Sequence, residues 1–289
     1  MQRIINKMNI PYLKMHGTGN LILVVDQRNS DSAPPHAEKL RALGDAATGP
    51  GFDQLMWISD ANDGSSIAAY RVFNSDGSEV EQCGNGVRCV AQYLADGQVS
   101  AFELQSPAGP IAARVLGNGE VAVSMGAPIF EPSRIPFAAA NEANSYDIVV
   151  GDQHLQIAAV SMGNPHAVIA VDDVRAAAVK ELGAKIERHE RFPEGVNVSF
   201  AHIRDRQNID LRVYERGVGE TAACGTGACA AVVAGQRRGQ LDEEVAVNLP
   251  GGQVVVNWRG DETPVWLKGN AELISDGNID LNVTMDLKG

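Results

Sequence analysis

One short phrase occurs twice in this chain, and the duplication constrains the fold more than any other feature. The first copy is Arg71-Val72-Phe73-Asn74, a polar gap, and Cys83-Gly84-Asn85-Gly86. The second copy is Arg212-Val213-Tyr214-Glu215-Arg216, a gap, and Cys224-Gly225-Thr226-Gly227. Arg71 and Arg212 are 141 residues apart, and so are Cys83 and Cys224. Each copy reads as a strand, a loop and a helix, so the repeat predicts two similar halves, each with a thiol where a helix begins.

The pattern around the two copies indicates the fold class. Gly163-Asn164 follows Gly19-Asn20 by 144 residues, and alternating segments predict mostly antiparallel strands, the last at Ile279–Leu287. Residues 228–234 are small or apolar on every side, which predicts a helix buried inside its half. We therefore expect an α+β fold with two pseudo-symmetric domains, each a mostly antiparallel strand barrel wrapped around a central helix.

The expected domain limits follow the same symmetry. Residues 1–127, completed by residues 271–289, form the first half, and residues 128–270 form the second. No Gly-x-Gly-x-x-Gly opens a helix after a strand with an acidic residue at the expected spacing, so a Rossmann domain is not expected.

Composition limits the partners of this 289-residue chain. The net charge of -12 disfavours nucleic acid and anionic membranes, which both need a basic face. No stretch reaches the roughly 18 apolar residues of a membrane span, and Met1 to Lys14 lack the apolar core of a secretory signal. We expect a cytoplasmic protein with reduced thiols, no nucleic-acid partner and no membrane partner.

Four cysteines could suggest zinc, but their spacing does not. On a helix, Cys83 and Cys89 would lie about 240° apart, and Cys224 and Cys229 about 140° apart. Neither pair has the usual spacing of zinc ligands. Cys89 and Cys229 lie inside apolar helical stretches and are expected to be buried, whereas Cys83 and Cys224 lie at helix starts, where thiols become reactive.

Two thiols at two helix starts predict proton transfer at carbon. A helix start lowers the pKa of a thiol below about 8.5, and its unpaired N–H groups can hold a carboxylate. We expect the two sulfurs to face each other across one substrate α-carbon. One thiolate removes the α-proton and the opposite thiol delivers another, with no pyridoxal phosphate and no metal.

Two other uses of a reactive cysteine fit less well. A covalent acyl mechanism needs an adjacent histidine base and does not explain a second, equivalent cysteine. A dithiol redox site normally has Cys-x-x-Cys, which this sequence lacks.

Together with Gly163-Asn164-Pro165-His166 and Glu215-Arg216-Gly217, the two Cys-Gly-x-Gly segments resemble the diaminopimelate epimerase family over nearly the whole chain, from about Lys14 to Leu281. The resemblance implies a cofactor-independent isomerase that uses two cysteines. Its substrate would be LL- or meso-diaminopimelate, in lysine and peptidoglycan biosynthesis, and the enzyme would be a homodimer.

The resemblance also implies roles for single residues. Cys83 and Cys224 would be the catalytic acid/base pair. The reacting end of the substrate would be bound by Gly84, Asn85, Gly225 and Thr226. The rest of the binding site would be Asn20, Gln54, Asn74, Asn164, Asn197, Glu215 and Arg216. Arg216 suits the distal carboxylate and Glu215 the distal ammonium, while Glu215 and His166 would tune the pKa of the thiols.

The sequence departs from the family at a few positions, and two other functions stay open. Ser275 replaces an aromatic residue that helps the family's dimer, and Leu21-Ile22 and Asp45-Ala46-Ala47 are also unusual. One alternative is a related racemase for another amino acid, such as a basic one or proline, although Arg216 and Glu215 disfavour proline. The other is a non-catalytic amino-acid-binding protein, which would be stabilised by ligand without exchanging its α-proton.

Overall fold

The computed structural model of the chain describes residues 9–30, 32–80 and 83–280. These described residues form eighteen β-strands and four α-helices. The strands are β1 (Asn9–Gly17), β2 (Asn20–Asp26), β3 (Gln54–Ser59), β4 (Ala69–Asn74), β5 (Glu79–Val80), β6 (Ser100–Ser106), β7 (Gly109–Val115), β8 (Glu120–Ser124), β9 (Tyr146–Val150), β10 (Gln153–Ser161), β11 (Pro165–Ala170), β12 (Asn197–Asp205), β13 (Asn208–Glu215), β14 (Gly219–Thr221), β15 (Glu244–Leu249), β16 (Gly252–Asn257), β17 (Trp266–Asn270) and β18 (Glu272–Asp280). The helices are α1 (Ala37–Gly44), α2 (Gly84–Leu94), α3 (Val179–Glu187) and α4 (Gly225–Arg237).

Contacts divide the chain into two compact units. The first unit is drawn from Met1–Gly119 and Ala271–Gly289, and the second from Glu120–Asn270. β8, which ends before the boundary expected after residue 127, pairs with β17 of the second unit. Residues 1–8 and 281–289 of the expected first domain lie outside the described residues, and so does most of the strand expected at Ile279–Leu287.

The two units repeat one sheet topology. In the first, the strands pair in the order β18-β1-β2-β3-β4-β6-β7, with β5 also on β4. In the second, the order is β9-β10-β11-β12-β13-β15-β16-β17-β8, with β14 also on β13. The pairs β2–β3, β4–β6, β11–β12 and β13–β15 are parallel and the others antiparallel. This equivalence confirms the expected α+β fold with internal pseudo-symmetry.

Helices occur where the parallel pairs require a crossover. A parallel strand pair cannot be closed by a hairpin, so α1 connects β2 to β3 and α3 connects β11 to β12. In the same way α2 lies between β4 and β6, and α4 lies between β13 and β15. The duplicated sequence phrase therefore corresponds to the second crossover of each unit.

The second crossover helix of each unit lies inside its own sheet. Every α2 residue from Gly84 to Ala91 is buried, and every α4 residue from Gly227 to Gly235. α2 packs against β1, β2, β3 and β7, and α4 packs against β10 to β13 and β16 to β17. The all-round small and apolar composition predicted this burial for α4, because such a helix leaves no polar face for solvent.

The other two helices cover the opposite faces of the sheets. Leu40 and Leu43 of α1 share a buried cluster with Leu23, Leu55 and Trp57 of β2 and β3. These parallel strands therefore carry apolar residues on both faces, as buried parallel strands do. Among the described residues, no helix has the length and apolar character needed to cross a membrane.

Candidate active site

Cys83 and Cys224 each occupy the N-cap position of a buried central helix. Cys83 precedes α2 with φ −146° and ψ 106°, and Cys224 precedes α4 with φ −131° and ψ 108°. The helical hydrogen bonds start at once, because the Val87 and Ala228 N–H groups donate to the carbonyls of the two cysteines. At Cys83 the Gly86 N–H also donates to Sγ, over 3.4 Å. Each thiol therefore lies beside the N–H groups that a helix start leaves unpaired, as the repeat predicts.

A glycine three residues after each thiol allows the helix start to press against the sheet. A Cβ at Gly86 would lie 2.4 Å from the Met56 sulfur on β3. A Cβ at Gly227 would lie 3.0 Å from Val213 on β13 and 3.3 Å from the Cys224 sulfur. The second glycine of each Cys-Gly-x-Gly is thus fixed by close packing, which also fixes the position of the thiol.

The first unit joins four of the expected residues in two hydrogen-bonded pairs. Asn85 Nδ2 donates to Asn20 Oδ1 over 2.9 Å, which joins the helix start to the start of β2. Gln54 Nε2 donates to Asn74 Oδ1 over 3.0 Å across the paired strands β3 and β4. Asn20, Gln54 and Asn74 are only partly buried, so their remaining donors and acceptors can serve a ligand, whereas Asn85 is buried.

Sequence reasoning missed Arg88, which lies one turn into α2 and is 0% exposed. Its Nη2 donates to Thr18 Oγ1 over 2.7 Å and to Asn85 Oδ1 over 2.9 Å, and its Nη1 donates to the Gly84 carbonyl over 3.4 Å. The sequence feature that could have identified Arg88 is its position in a helix whose neighbouring residues predict complete burial. Buried guanidinium groups need several acceptors, and here the acceptors belong to the helix start and to the turn before β2.

The second unit forms an equivalent cluster around Cys224. Asn164 Nδ2 donates to Thr226 Oγ1 over 3.3 Å. Asn197 is buried, donates to the Pro165 carbonyl over 3.0 Å, and accepts the Arg216 backbone N–H over 2.9 Å. The side-chain amide of Asn197 thereby connects the first residue of β11 to the backbone at Arg216.

The internal repeat extends to these contacts. Asn20 and Asn164 are equivalent, and so are Asn85 and Thr226, so each unit joins the same two positions by a hydrogen bond. The direction differs: the helix residue Asn85 donates in the first unit, whereas the β11-side residue Asn164 donates in the second. The two clusters are therefore similar in position but not in hydrogen-bond direction.

His166 is completely buried next to this second cluster. Its Nε2 lies 3.0 Å from Asn164 Oδ1, which can only accept, so Nε2 carries the hydrogen. Burial, and secondarily the charge of Arg216, lowers the pKa of His166 to about 3. The imidazole is neutral at ordinary pH, so any influence on the thiol passes through Asn164 and Thr226 rather than through a positive charge.

The surroundings of Cys224 favour its neutral thiol. Burial raises the pKa of Cys224 well above its usual value, and the Glu215 carboxylate raises it further. Hydrogen bonds from Thr226, whose Oγ1 lies 3.5 Å from Sγ, and from the Gly227 N–H act in the opposite direction. The helix start therefore acts on this pKa in the expected direction, but the expected net lowering is wrong for Cys224, because its sulfur is nearly excluded from water. Glu215 is itself fixed by a 2.5 Å hydrogen bond from Thr221 Oγ1.

Arg216, expected to meet a distal carboxylate, has an exposed side chain. Its Nη1 donates to the Glu194 carbonyl over 2.8 Å, and its Cδ and Cγ line the turn at Gly195. This contact uses one arm of the guanidinium and keeps the group outside the buried core. The remaining N–H groups suit an anion.

Each unit thus combines a thiol, a helix start and amide side chains of known direction. Such a cluster can hold an anionic group and exchange a proton with it. The other two cysteines are buried, and burial raises the pKa of Cys89 to about 12. No group of three His, Cys, Asp or Glu side chains suited to a metal occurs within residues 9–30, 32–80 and 83–280.

Known proteins resemble this chain over nearly its whole length. The sequence model of the diaminopimelate epimerase family matches residues 12–131 and 158–274. The diaminopimelate epimerases of Pseudomonas savastanoi pv. phaseolicola and Ectopseudomonas mendocina are 46% and 45% identical over 279 residues, which cover 95% of this chain and 100% of each relative. The fold is similar to that of a hydroxyproline epimerase from Agrobacterium vitis, with a TM-score of 0.71 at 15% identity, covering 96% of this chain and 94% of that one.

Proposed function

The chain belongs to the diaminopimelate epimerase family, and on this basis we propose that it interconverts LL- and meso-2,6-diaminopimelate without a cofactor. The reaction inverts one α-carbon of the substrate. It would place the protein in lysine and peptidoglycan biosynthesis.

One observation carries the proposal: a thiol caps the buried central helix in each of two units with the same topology. Inversion of a carbon needs a base and an acid, and the reverse reaction needs the same two groups in exchanged roles. Cys83 and Cys224 are groups of one chemical kind, so each can serve in either role. A single reactive cysteine would not suffice.

The proposed step moves two protons. A thiolate takes the α-proton, so the C–H bond breaks and an S–H bond forms. The electron pair left on carbon delocalises into the substrate carboxylate, which N–H groups at the helix starts can stabilise. The other thiol then gives its proton to the carbon, and the new C–H bond completes the inversion. The raised pKa of Cys224 supports Cys224 as the proton donor of the resting enzyme and Cys83 as the base.

Charged groups of the second unit suit the end of the substrate that does not react. Diaminopimelate carries a distal carboxylate and a distal ammonium. The exposed guanidinium of Arg216 can pair with the carboxylate, and Glu215 can accept from the ammonium. Proline offers neither distal group, so this pair favours a longer substrate with two charged ends.

Solvent isotope incorporation tests the proposal directly. Incubation of the reduced protein with LL-diaminopimelate in D2O should place deuterium at one α-position as the meso product forms. Cys83→Ala and Cys224→Ala should each lower this turnover by about a hundredfold or more, because each removes an acid/base group. Cys89→Ala is the matched control, since its buried thiol stays protonated, and it should retain most of the activity.

The outcome separates the proposal from its alternatives. Exchange with another amino acid, in a panel that includes basic amino acids and proline, would assign a related racemase. Thermal stabilisation by diaminopimelate without exchange would assign a binding protein. Folded, reduced wild-type protein that exchanges no substrate proton would refute the proposed reaction.

We also propose that the protein is a cytoplasmic homodimer that binds neither nucleic acid nor membranes. None of the four cysteines, all of them among the described residues, forms a disulfide, which suits a reducing compartment. On β18, Leu273 and Ile274 are 60% and 51% exposed, and such apolar strand residues favour association with a second copy. Light scattering should give twice the chain mass of 30.7 kDa, whereas the mass of one chain would refute the dimer.

A further inference from the structure

We propose that Arg88 is a positioning residue that fixes the side-chain amides of Asn85 and Asn20 in one direction, so that Asn20 faces the substrate as a hydrogen-bond donor. The inference rests on the proposed function for the identity of the substrate. It assigns a role to a residue that lies behind the binding residues rather than among them.

The argument starts from the donor inventory of the three side chains. A guanidinium can only donate, so the atom of Asn85 that lies 2.9 Å from Arg88 Nη2 must be the carbonyl Oδ1. The other end of the Asn85 amide is then Nδ2, which can only donate. The Asn20 atom 2.9 Å away must therefore be Oδ1, and the opposite end of Asn20 is the donor Nδ2. The buried guanidinium of Arg88 thus fixes which end of the side-chain amide donates, first in Asn85 and then in Asn20.

The surroundings hold this arrangement rigid. Arg88 is 0% and Asn85 is 4% exposed, so water does not compete for their contacts. The same Nη2 also donates to Thr18, in the turn just before Asn20, and Nη1 donates to the Gly84 carbonyl. A flip of the Asn85 amide would turn its NH2 group toward a guanidinium and leave two donors facing each other without water, which is costly.

The internal repeat shows that this device belongs to one unit. The position equivalent to Arg88, 141 residues later, is Cys229. In the second unit Asn164 instead contacts His166, whose ring nitrogens can donate or accept, and the hydrogen bonds run from Asn164 to Thr226 and end beside the Cys224 sulfur. In the first unit they run from Arg88 through Asn85 and end on Asn20. The first cluster is therefore organised to present a donor to an anionic ligand group, whereas the second ends at the Cys224 sulfur.

A double-mutant cycle tests whether Arg88 acts through Asn20. Arg88→Met and Asn20→Ala should each lower kcat/KM for diaminopimelate by about tenfold or more, the usual effect of losing a hydrogen bond to a charged group. The double variant should match Asn20→Ala within about threefold, because the position that Arg88 directs is already gone. Effects that multiply would assign Arg88 a merely structural role and overturn the proposal.

Two further variants protect the test against misfolding. Arg88→Lys keeps a buried cation but loses the planar guanidinium, whose Nη2 donates to Thr18 and Asn85 while Nη1 donates to the Gly84 carbonyl, and it replaces Arg88→Met in the cycle if that variant does not fold. Cys229→Ala trims the equivalent helix position of the second unit, and it should keep kcat/KM within about threefold of wild type. A comparable loss of activity in Cys229→Ala would mean that the assay reports packing of the central helices, and would count against the proposal.

An NMR measurement separates this inference from the proposed function. The Asn85 NH2 signals, identified by their loss in Asn85→Asp, should exchange slowly with water in the wild-type protein and about tenfold or more faster in Arg88→Met. This result would support the directed amides even if the wild-type protein failed to turn over diaminopimelate. Equal exchange rates in both proteins would overturn the inference whatever the activity.

Discussion

Single residues of this protein are informative mainly through the direction of their hydrogen bonds. The sequence located the thiols and the asparagines by their repetition, and both kinds of residue occur in clusters within their units. It could not reveal that Asn85 donates where the equivalent Thr226 accepts, because direction depends on the neighbours of each amide: Asn85 is directed by Arg88, whereas Asn164, the partner of Thr226, contacts His166. The residue type determines whether a side-chain atom can donate or accept a hydrogen bond, and its neighbours in the fold determine which of these roles it has.

His166 offers a test of this point through the pH dependence of stability. Its pKa falls from 6.5 in a model peptide to about 3 in the fold, so folding favours the neutral ring. The contribution to stability is complete above pH 6.5 and is lost as the pH falls from 6.5 toward 3. Each pH unit corresponds to about 1.4 kcal/mol, so stability should fall by about 2 kcal/mol between pH 7 and pH 5 from this residue.

Urea unfolding of the wild type and of His166→Gln at these two pH values measures the effect. Glutamine can still donate to Asn164 but does not titrate, so the variant should show about 2 kcal/mol less dependence on pH. His154→Gln is the matched control, because it removes an exposed histidine of the same unit and should retain the wild-type slope. Equal slopes for all three proteins would contradict the buried neutral ring.

Elements were predicted best where burial imposes a simple pattern. The uniform apolar composition of residues 228–234 marked α4, and the alternation of apolar residues marked many strands. No pattern in the sequence predicted β18 before Ile279, although the strand begins at Glu272; of the strand expected at Ile279–Leu287, only Ile279 and Asp280 lie in the described residues. The first five residues of β18 are exposed, and the apolar neighbours Leu273 and Ile274 are followed by polar residues and a glycine, so no alternation marks the strand. Pairing with β1 along nearly its whole length makes this segment a strand in spite of its composition.

The start of α2 yields a prediction about packing. Alanine normally favours a helix over glycine by about 1 kcal/mol. At Gly86, however, the added methyl group would lie 2.4 Å from the sulfur of the completely buried Met56, so either the Met56 side chain must repack in the core or the helix start must move. We expect Gly86→Ala to lower the free energy of unfolding by about 1–3 kcal/mol and to reduce activity by displacing Cys83.

Chemical unfolding and the D2O assay together check this expectation. The control is Gly117→Ala, where the new methyl group would be 3.4 Å from Val99, an ordinary contact, and the stability should change by less than about 0.5 kcal/mol. Stabilisation of the protein by Gly86→Ala would show that helix propensity outweighs the clash.

At the scale of the whole molecule, the repeat predicted the architecture because both copies obey the same pairing rules. A phrase that recurs after 141 residues, with similar strands on either side, leaves few topologies other than two equivalent units. The expectation that residues 271–289 complete the first half came from the symmetry of the repeat; local pattern could not supply it, because β1 and β18 are separated by the entire second unit. Such pairing between distant segments depends on which strand can bond to the open edge of a sheet formed elsewhere in the chain.

Removal of β18 tests its importance for the first unit. A chain that stops at Asn270 leaves one side of β1 without its partner and removes Ile279 from the core cluster around Leu23 and Trp57. We expect limited proteolysis to cut this chain first within residues 9–119, while residues 120–270 resist longer. A chain that stops at Asp280 retains every described pair of β18 and should resist like the full-length protein. Equal protease resistance of all three chains would contradict this role.

The same strand has a consequence for synthesis on the ribosome. Residues 120–270 are all available to the second unit before β18 has been translated, although they are made after β1 to β7. The part of the protein made first must therefore wait until residues 272–280 have left the exit tunnel before its sheet is complete. During this interval β1 exposes an unpaired edge, so a nascent chain is most vulnerable to aggregation at its beginning, not at its growing end.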